Sequence, residues 1–243
     1  MNLKLGIVNF LTLIRIVGTI ILIPLYNLYG GKVVGITSFF CYLTDSIDGI
    51  LARKWKVSTF FGALFDGLAD KLFTIINFIV LFLITPYAII PIIIELLIII
   101  VQAIKFSRNL NIQANVVGKL KVWILAASVV LTFFVSDISN IGIVPMTLKS
   151  YLLNIPNNRL YLYMLLPALI MEAITLISYI IELFFPKKNM KILTEKVKKI
   201  KSPKLTFEEK KNYFKNVWLS PEFYQKHKDE TNLRDLRKLS KKS

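Results

Sequence analysis

The sequence predicts an all-α integral membrane protein, a six-transmembrane helix bundle followed by a basic cytoplasmic C-terminal tail. Hydrophobic residues make up 55% of the 243 residues, above the roughly 45–50% that is usual for soluble domains. Several apolar runs reach about 20 residues, the length that a helix needs to cross a bilayer. From Lys187 onward the chain carries 18 Lys and Arg against 7 Asp and Glu, out of a net charge of +16. We therefore divide the chain into a transmembrane domain, residues 1–186, and a basic tail, residues 187–243.

The hydropathy pattern predicts six helical segments, with turns where Gly and Pro interrupt it. The predicted segments are residues 6–28, 33–54, 62–85, 87–106, 117–136 and 160–185. Gly30 and Gly31 mark the first turn, and Pro86 separates the third segment from the fourth. The N-terminal apolar run is long and has no small-residue cleavage site, so we interpret it as a retained span rather than a signal peptide.

Basic residues orient the predicted bundle, because cytoplasmic loops of membrane proteins are enriched in Lys and Arg. They concentrate in the loop after the second segment, in the loop after the fourth, and in the tail; the loop residues are Arg53, Lys54, Lys56, Lys105, Arg108, Lys119 and Lys121. This distribution predicts cytoplasmic termini in a multi-pass protein of a cell membrane, with a bacterial inner membrane as the expected location. The turn that joins the second segment to the third is then cytoplasmic.

Cysteine and histidine are nearly absent. Cys41 is the single cysteine, so a disulfide within the chain and a cysteine-based metal site are both excluded. The one histidine, His227, belongs to the tail. Acid–base chemistry in the transmembrane domain must therefore use carboxylates, Lys, Tyr or Arg.

Four aspartates flank the predicted cytoplasmic turn, in the sequence TDSIDGILARKWKVSTFFGALFDGLADK. Asp45 and Asp48 are three residues apart and share one helix face, and Asp66 and Asp70, four apart, share a face of the next helix. Two antiparallel helices can direct all four carboxylates to one place. Each intramembrane carboxylate costs roughly 2.5–3.5 kcal/mol on insertion scales, so such a group needs cations. Carboxylate oxygens suit Mg²⁺ or Mn²⁺, which also bind phosphate.

The residues around these aspartates favour a phosphate-containing ligand. Gly49 and Ala52 are small and allow a ligand to approach the backbone. Arg53 can form a bidentate contact with phosphate, and Ser58 and Thr59 offer hydroxyl groups in the turn. Intramembrane aspartates also occur in ion-coupled transporters, which is the alternative from a different functional class.

The spacing of these residues resembles the signature of the CDP-alcohol phosphatidyltransferases. The pattern is Asp, two residues, Asp-Gly, two residues, Ala-Arg, eight residues, Gly, three residues, Asp, three residues, Asp; it is matched at positions 45, 48, 49, 52, 53, 62, 66 and 70. The resemblance implies an enzyme of phospholipid biosynthesis that transfers a phosphatidyl group from CDP-diacylglycerol to an alcohol and releases CMP. It also implies a homodimer whose active site faces the cytoplasm.

The resemblance also assigns roles to individual residues. Two divalent ions, Mg²⁺ or Mn²⁺, would be held by Asp45, Asp48, Asp66 and Asp70. Asp70 would in addition act as the general base on the acceptor hydroxyl. The CDP group would bind at Gly49, Ala52, Arg53 and Thr59. Attack would be direct, without a covalent enzyme intermediate.

Other residues resemble phosphatidylglycerophosphate synthases within this family. These are the N-terminal NFLTLIRI with Asn9, Thr12 and Arg15, the run Ala69-Asp70-Lys71, and the run Gly118-Lys119-Leu120-Lys121. They imply glycerol 3-phosphate as acceptor, with phosphatidylglycerophosphate as product. Arg108, Lys119 and Lys121 would receive the acceptor phosphate, although positive-inside bias alone also explains these three cations.

Three departures from those synthases keep other acceptors open. Gly67 stands where they usually have Pro, Glu95 lacks a neighbouring Arg, and Val122 replaces a common Thr. The alternative acceptors are inositol phosphate, inositol, serine and phosphatidylglycerol.

Several residues lie outside the motif. We expect Arg15 either to bind a lipid phosphate or to extend to the membrane interface, and Glu95 and Glu172 to face the bundle interior. In the tail, residues 190–200 and 207–218 are predicted to form short helices on anionic lipid, with disorder as the alternative and no role in nucleic-acid binding. Because the tail holds no motif residue, its removal is expected to leave CMP release measurable.

Overall fold

The computed structural model describes residues 3–108, 116–142, 144–185 and 207–227, which form helices and no strand. The helices are α1 (Leu3–Trp55), α2 (Phe60–Ile84), α3 (Ile89–Ser107), α4 (Val116–Ser136), α5 (Met146–Leu153), α6 (Asn157–Phe184), α7 (Phe207–Tyr213) and α8 (Pro221–His227). Two short 3-10 helices, Pro86–Ala88 and Ile138–Asn140, lie in the connections, and a π-helix, Phe214–Trp218, follows α7.

Helix α1 consists of two helical segments that meet at Gly30. This residue has φ 75° and ψ −170°, a conformation that L side chains rarely adopt, so the helix bends sharply there. The Asp137 carboxylate accepts the backbone N–H of Lys32 at 3.2 Å, which satisfies a donor at the start of the second segment. A Cβ on Gly31 would lie 2.7 Å from the Phe133 carbonyl oxygen, so only glycine allows α1 to approach α4 this closely.

Helix α2 begins and ends at residues whose chemistry explains its limits. Thr59 is the N-cap, and its side chain accepts the backbone N–H of Gly62 at 3.0 Å. At the other end Thr85 is extended, as expected for a residue that precedes proline. The N-cap places α2 immediately after the tight turn at Lys56–Thr59, so Asp66 and Asp70 face the end of α1.

The bundle has a continuous apolar core and an apolar outer surface. The core joins α1, α2, α4 and α6 through residues such as Leu22, Phe73, Phe78, Phe133 and Leu165. Many large apolar side chains on the same helices are exposed, which is expected where a bundle faces lipid. Four helical stretches among the described residues are long and apolar enough to cross a membrane: Leu5–Trp55, Phe60–Ile84, Pro86–Lys105 and Asn157–Phe184.

All six predicted segments are helical in the structure. The first two are the halves of α1, and the others correspond to α2, α3, α4 and α6. The number of membrane crossings stays a prediction, because Leu120–Ser136 in α4 is a shorter apolar helix. Helix α5 lies between the fifth and sixth predicted segments, where no helix was predicted. Of the predicted tail helices, residues 207–218 are helical, and residues 190–200 lie outside the described part.

The connections between the helices lie at the two ends of the bundle. Gly30 meets Asp137 at one end, where the connection between α4 and α6 also lies. At the other end lie the α1–α2 turn and the ends of α3 and α6, joined by the ion pair of Lys105 with Glu182 at 2.6 Å. The described part of the tail packs at this second end, against Phe60. The aspartate motif and the tail therefore share one end of the molecule.

Candidate active site

The four motif aspartates converge between the second half of α1 and the start of α2. One oxygen atom from each of Asp45, Asp48 and Asp66 lies within 4.8 Å of the other two. Asp48 is the most enclosed, with 3% of its side chain exposed, whereas the Asp66 and Asp70 side chains are 38% and 44% exposed. The group is therefore anchored in the bundle on one side and open on the other.

Arg15 occupies the centre of this acidic cluster. Its side chain is 1% exposed, and its guanidinium forms ion pairs with Asp45, Asp66 and Asp70 and lies 3.4 Å from Asp48. The expectation that Arg15 extends to the membrane interface was wrong, because its side chain is buried among carboxylates, whereas contact with a lipid phosphate stays a prediction. A buried arginine needs such partners, since a guanidinium remains charged in the protein interior.

The donor set fits hard divalent cations. Asp45, Asp48 and Asp66 each offer a carboxylate oxygen, the ligand type that Mg²⁺ and Mn²⁺ prefer. Four carboxylates face a single guanidinium, so the cluster keeps an excess of negative charge that divalent ions would neutralise. The identity and number of the ions stay predictions.

A cavity of about 410 Å³ opens beside the cluster. It is lined by residues from the first half of α1 (Leu5, Val8, Asn9, Thr12, Leu13), from the motif helix and turn (Asp48, Gly49, Ala52, Arg53, Val57, Ser58, Thr59), from α2 (Phe61, Gly62, Ala63, Phe65, Asp66) and from the tail (Tyr224). The four residues predicted to bind CDP, Gly49, Ala52, Arg53 and Thr59, thus line one cavity together with two of the aspartates.

Local contacts shape this cavity. The Arg53 guanidinium lies over Gly49, where a Cβ would be 3.6 Å from one of its nitrogens. Thr12 places its hydroxyl 3.5 Å from an Asp48 oxygen. Asn9 and Thr12, which share a helix face with Arg15, therefore bring the N-terminal sequence to the motif. These three residues were singled out by their resemblance to phosphatidylglycerophosphate synthases. Their position on one helix face was the signal in the sequence that they could share a site.

A second buried charged network lies next to the acidic cluster. Lys121 on α4 pairs with Glu95 on α3 and lies 4.0 Å from Glu172 on α6. Lys71, which follows Asp70, reaches Glu95 at 3.6 Å. Glu95 and Glu172 face the interior as predicted, and the sequence gave no indication of their partners. Among the described residues, neither carboxylate oxygen of Glu172, which is 0% exposed, has a hydrogen-bond partner.

The three residues predicted to receive an acceptor phosphate have different surroundings. Lys121 is buried and is bound to Glu95. Arg108 is exposed just beyond the end of α3. Lys119 belongs to the first turn of α4, and its side chain lies outside the described part of the structure. Their role in binding an acceptor stays a prediction.

An α-helical bundle with apolar outer faces, a carboxylate cluster that could hold metal ions and an adjoining cavity defines a helical membrane protein with a candidate ligand site. The sequence model of the CDP-alcohol phosphatidyltransferases matches residues 5–185. Since this match spans α1 to α6 and contains the whole acidic cluster, the chain belongs to the CDP-alcohol phosphatidyltransferase family.

Curated relatives match a shorter part of the chain. CDP-diacylglycerol–glycerol-3-phosphate 3-phosphatidyltransferase from Yersinia enterocolitica is 41% identical over 75 residues, 28% of this chain and 39% of the relative. The enzymes of the same name from Haemophilus influenzae and Rickettsia typhi are each 37% identical, over 79 and 67 residues. These matches cover 30% and 26% of this chain and 40% and 38% of the relatives. The aligned region thus spans about two fifths of each relative.

Proposed function

We propose that this protein is a metal-dependent phosphatidyltransferase of phospholipid biosynthesis. It transfers the phosphatidyl group of CDP-diacylglycerol to an alcohol and releases CMP. The observation that carries the proposal is the position of the acidic cluster at the wall of the cavity, because Asp48 and Asp66 belong to both. Family membership and the names of the matching relatives support the same reaction.

The residues of the cavity have complementary tasks in this reaction. Gly49 and Ala52 leave space for the nucleotide, and Arg53 binds its phosphate groups. The Thr59 hydroxyl borders the cavity while it caps α2. Asp45, Asp48, Asp66 and Asp70 hold the divalent ions, which when bound would neutralise charge on the pyrophosphate and its leaving group.

Asp70 is the proposed general base. It is the most exposed carboxylate of the cluster, so it can reach an acceptor hydroxyl that approaches from the open side. Its ion pair with Arg15 would have to loosen for this task. Direct attack of the acceptor oxygen on the phosphatidyl phosphorus then forms one P–O bond and breaks the bond to CMP, while the acceptor proton passes to Asp70.

Glycerol 3-phosphate is the proposed acceptor. Support comes from the names of the relatives and from the cations near the cluster: Lys71 and Lys121 inside, and Arg108 at the end of α3. A phosphate that binds Lys121 must replace the contact of this lysine with Glu95. The active protein is proposed to be a homodimer with six crossings, its catalytic end and both termini in the cytoplasm, since the basic residues gather at that end.

The reaction class is tested by CMP release from CDP-diacylglycerol in detergent micelles. We expect release that requires Mg²⁺ or Mn²⁺, disappears in excess chelator and depends on an added alcohol. Glycerol 3-phosphate should exceed inositol phosphate, inositol, serine and phosphatidylglycerol. Full turnover in excess chelator would refute metal dependence, and the absence of CMP release with any alcohol would refute the reaction and favour an ion-coupled transporter.

The acceptor site is tested by replacing Lys119 and Lys121 together with Gln, with Glu95→Gln in the same variant so that the buried partner of Lys121 is not left as an unpaired charge. Loss of a charge-assisted contact is worth roughly 1.5–3 kcal/mol, so the KM for glycerol 3-phosphate should rise about tenfold or more. The KM for CDP-diacylglycerol should change far less. Lys149→Gln, on α5 at the other end of the bundle, is the matched control. Equal effects on both KM values would show that the two lysines act through general electrostatics.

A further inference from the structure

Residues 207–227 of the tail form an ordered unit against the catalytic end of the bundle. We call this unit the aromatic strap; it consists of α7, the π-helix Phe214–Trp218 and α8. Val217 is 3% exposed and forms a small apolar core with Phe60 at the start of α2. Tyr213, Trp218, Phe223 and Tyr224 pack around these two residues. The described contacts of the strap with α2 are thus made by its apolar and aromatic side chains.

Ring contacts fix the strap to α2 at two places. Phe60 packs edge-on against Tyr224, with ring centroids 4.9 Å apart, and against Phe223 at 6.3 Å. Phe61 packs edge-on against Phe214 at 5.6 Å. Such edge-on ring pairs stabilise a contact beyond the area that they bury. Because Phe60 and Phe61 open α2, the strap lies beside the turn that also carries Thr59.

The local sequence orients α8 so that Tyr224 reaches the cavity. The Ser220 hydroxyl accepts the backbone N–H of Phe223 at 3.2 Å, and Pro221 occupies the first helical position. Serine before proline is a favourable start for a helix. With α8 fixed in this way, Tyr224 lines the same cavity as Gly49, Arg53 and Thr59.

Among the described residues, Tyr224 is the one that lines this cavity from beyond residue 185, where the match to the family ends. The strap is therefore an addition to the shared domain that supplies a wall of the shared pocket. An aromatic ring at a nucleotide site can stack on a base or hydrogen-bond to it through its hydroxyl. The other aromatic lining residues, Phe61 and Phe65, belong to α2.

We propose that the aromatic strap closes the nucleotide pocket and that Tyr224 contacts the cytidine group of the bound substrate. This inference rests on the proposed function, since it takes the cavity as the CDP site. Tyr224 is then a residue for nucleotide affinity and specificity that the family domain lacks. The expectation that removal of the tail leaves CMP release measurable is then sharpened: release continues without the tail, but at a higher KM for CDP-diacylglycerol.

The test measures binding of CDP, in the presence of Mn²⁺, to the full-length protein by titration calorimetry. Stacking on one base is worth roughly 1–3 kcal/mol by alanine substitution, so Tyr224→Ala should weaken CDP binding about tenfold. Tyr224→Phe keeps the ring and should retain most of the affinity if stacking dominates. Tyr151→Ala, an exposed tyrosine on α5, is the matched control and should bind CDP as the wild type does.

A second measurement separates closure of the pocket from a general loss of folding. CDP should slow tryptic cleavage at the exposed Lys211 and Lys215 of the strap in the wild type, but leave cleavage at Arg159 on α6 unchanged. In Tyr224→Ala the protection should be lost at the same CDP concentration. Equal CDP affinity in wild type and Tyr224→Ala, or no protection of the wild-type strap at saturating CDP, would overturn this inference alone. A wild-type protein that binds no CDP with Mn²⁺ would instead overturn the proposed function.

Discussion

Two groups of charges lie side by side in this bundle, and they are built in opposite ways. The acidic cluster has four carboxylates and one guanidinium, and it opens to a cavity. The neighbouring network has two carboxylates, Glu95 and Glu172, and two lysines, Lys71 and Lys121. Its charges balance, and three of its four side chains are buried.

This difference indicates which groups of charges stabilise the fold and which bind ligands. A balanced, enclosed network pairs most of its charges with one another and links the helices that contribute to it, here α2, α3, α4 and α6. An unbalanced cluster at a cavity wall is costly unless something from outside completes it, which points to ligands. The four predictions below test this contrast, from the largest expected effect to the smallest.

Asp48→Asn should abolish measurable CMP release. Asp48 is the most enclosed carboxylate of the cluster and a proposed metal ligand, and metal-based charge stabilisation is worth several kcal/mol. The stabilisation against heat by Mn²⁺ should be lost as well. Asp137→Asn, the same exchange at the Gly30 end, should retain both properties. If Asp48→Asn keeps its thermal response to Mn²⁺, Asp48 is not a metal ligand.

Lys121→Gln should destabilise the fold. The substitution removes the ion-pair partner of Glu95 and the positive charge that lies 4.0 Å from Glu172. Breaking a buried ion pair by removing one partner typically costs about 3–5 kcal/mol. Thermal unfolding in detergent measures the effect. The double variant Glu95→Gln with Lys121→Gln should recover much of the loss, because no unpaired charge remains at that contact. A single variant as stable as the wild type would show that the network is not structurally important.

Arg15→Gln should bind Mn²⁺ more tightly while it unfolds more easily in chelator. The guanidinium competes with divalent ions for the same carboxylates, so its removal favours the ions and leaves the metal-free cluster uncompensated. We expect about a tenfold gain in Mn²⁺ affinity, equivalent to about 1.4 kcal/mol. Calorimetry with Arg159→Gln as control measures it. Weaker Mn²⁺ binding in Arg15→Gln would mean that Arg15 organises the ligands instead of competing.

Glu172→Gln should change stability by no more than about 1 kcal/mol. Its carboxylate has no hydrogen-bond partner among the described residues, and Lys121 keeps its closer contact with Glu95. Glu95→Gln is the matched comparison and should cost more, since Glu95 pairs with both Lys71 and Lys121. Thermal unfolding of the two variants decides the order. A larger loss in Glu172→Gln would show that Glu172 is the main partner of Lys121.

The sequence predicted the parts of the site that depend on local spacing. Asp45 with Asp48 and Asp66 with Asp70 follow from helical periodicity and one tight turn, and the cavity residues Gly49 to Thr59 lie between them. The six helical segments likewise follow from the local pattern of hydropathy. Each of these features depends on residues that are close together in the chain.

Features that depend on distant contacts were not predictable in this way. Arg15 is separated from Asp45 by 30 residues, and its position depends on how the first half of α1 folds back along the second. Glu95 and Lys121 meet only because α3 and α4 pack together. For Tyr224 there was no signal: the predicted tail helix covers residues 207–218 and stops before α8, the helix that carries this residue.

The bend at Gly30 has a consequence for the biogenesis of the protein. Its stabilising partner, Asp137, lies 105 residues after Lys32, which donates the hydrogen bond. A nascent chain that has emerged only as far as α3 therefore contains the bend without its cap. The two halves of α1 can enter the membrane as a hairpin, but the bend becomes fixed after α4 arrives. Because the acidic cluster combines Arg15 from the first half of α1 with aspartates from the second half and from α2, we expect the catalytic end to be completed only after α4 has been inserted.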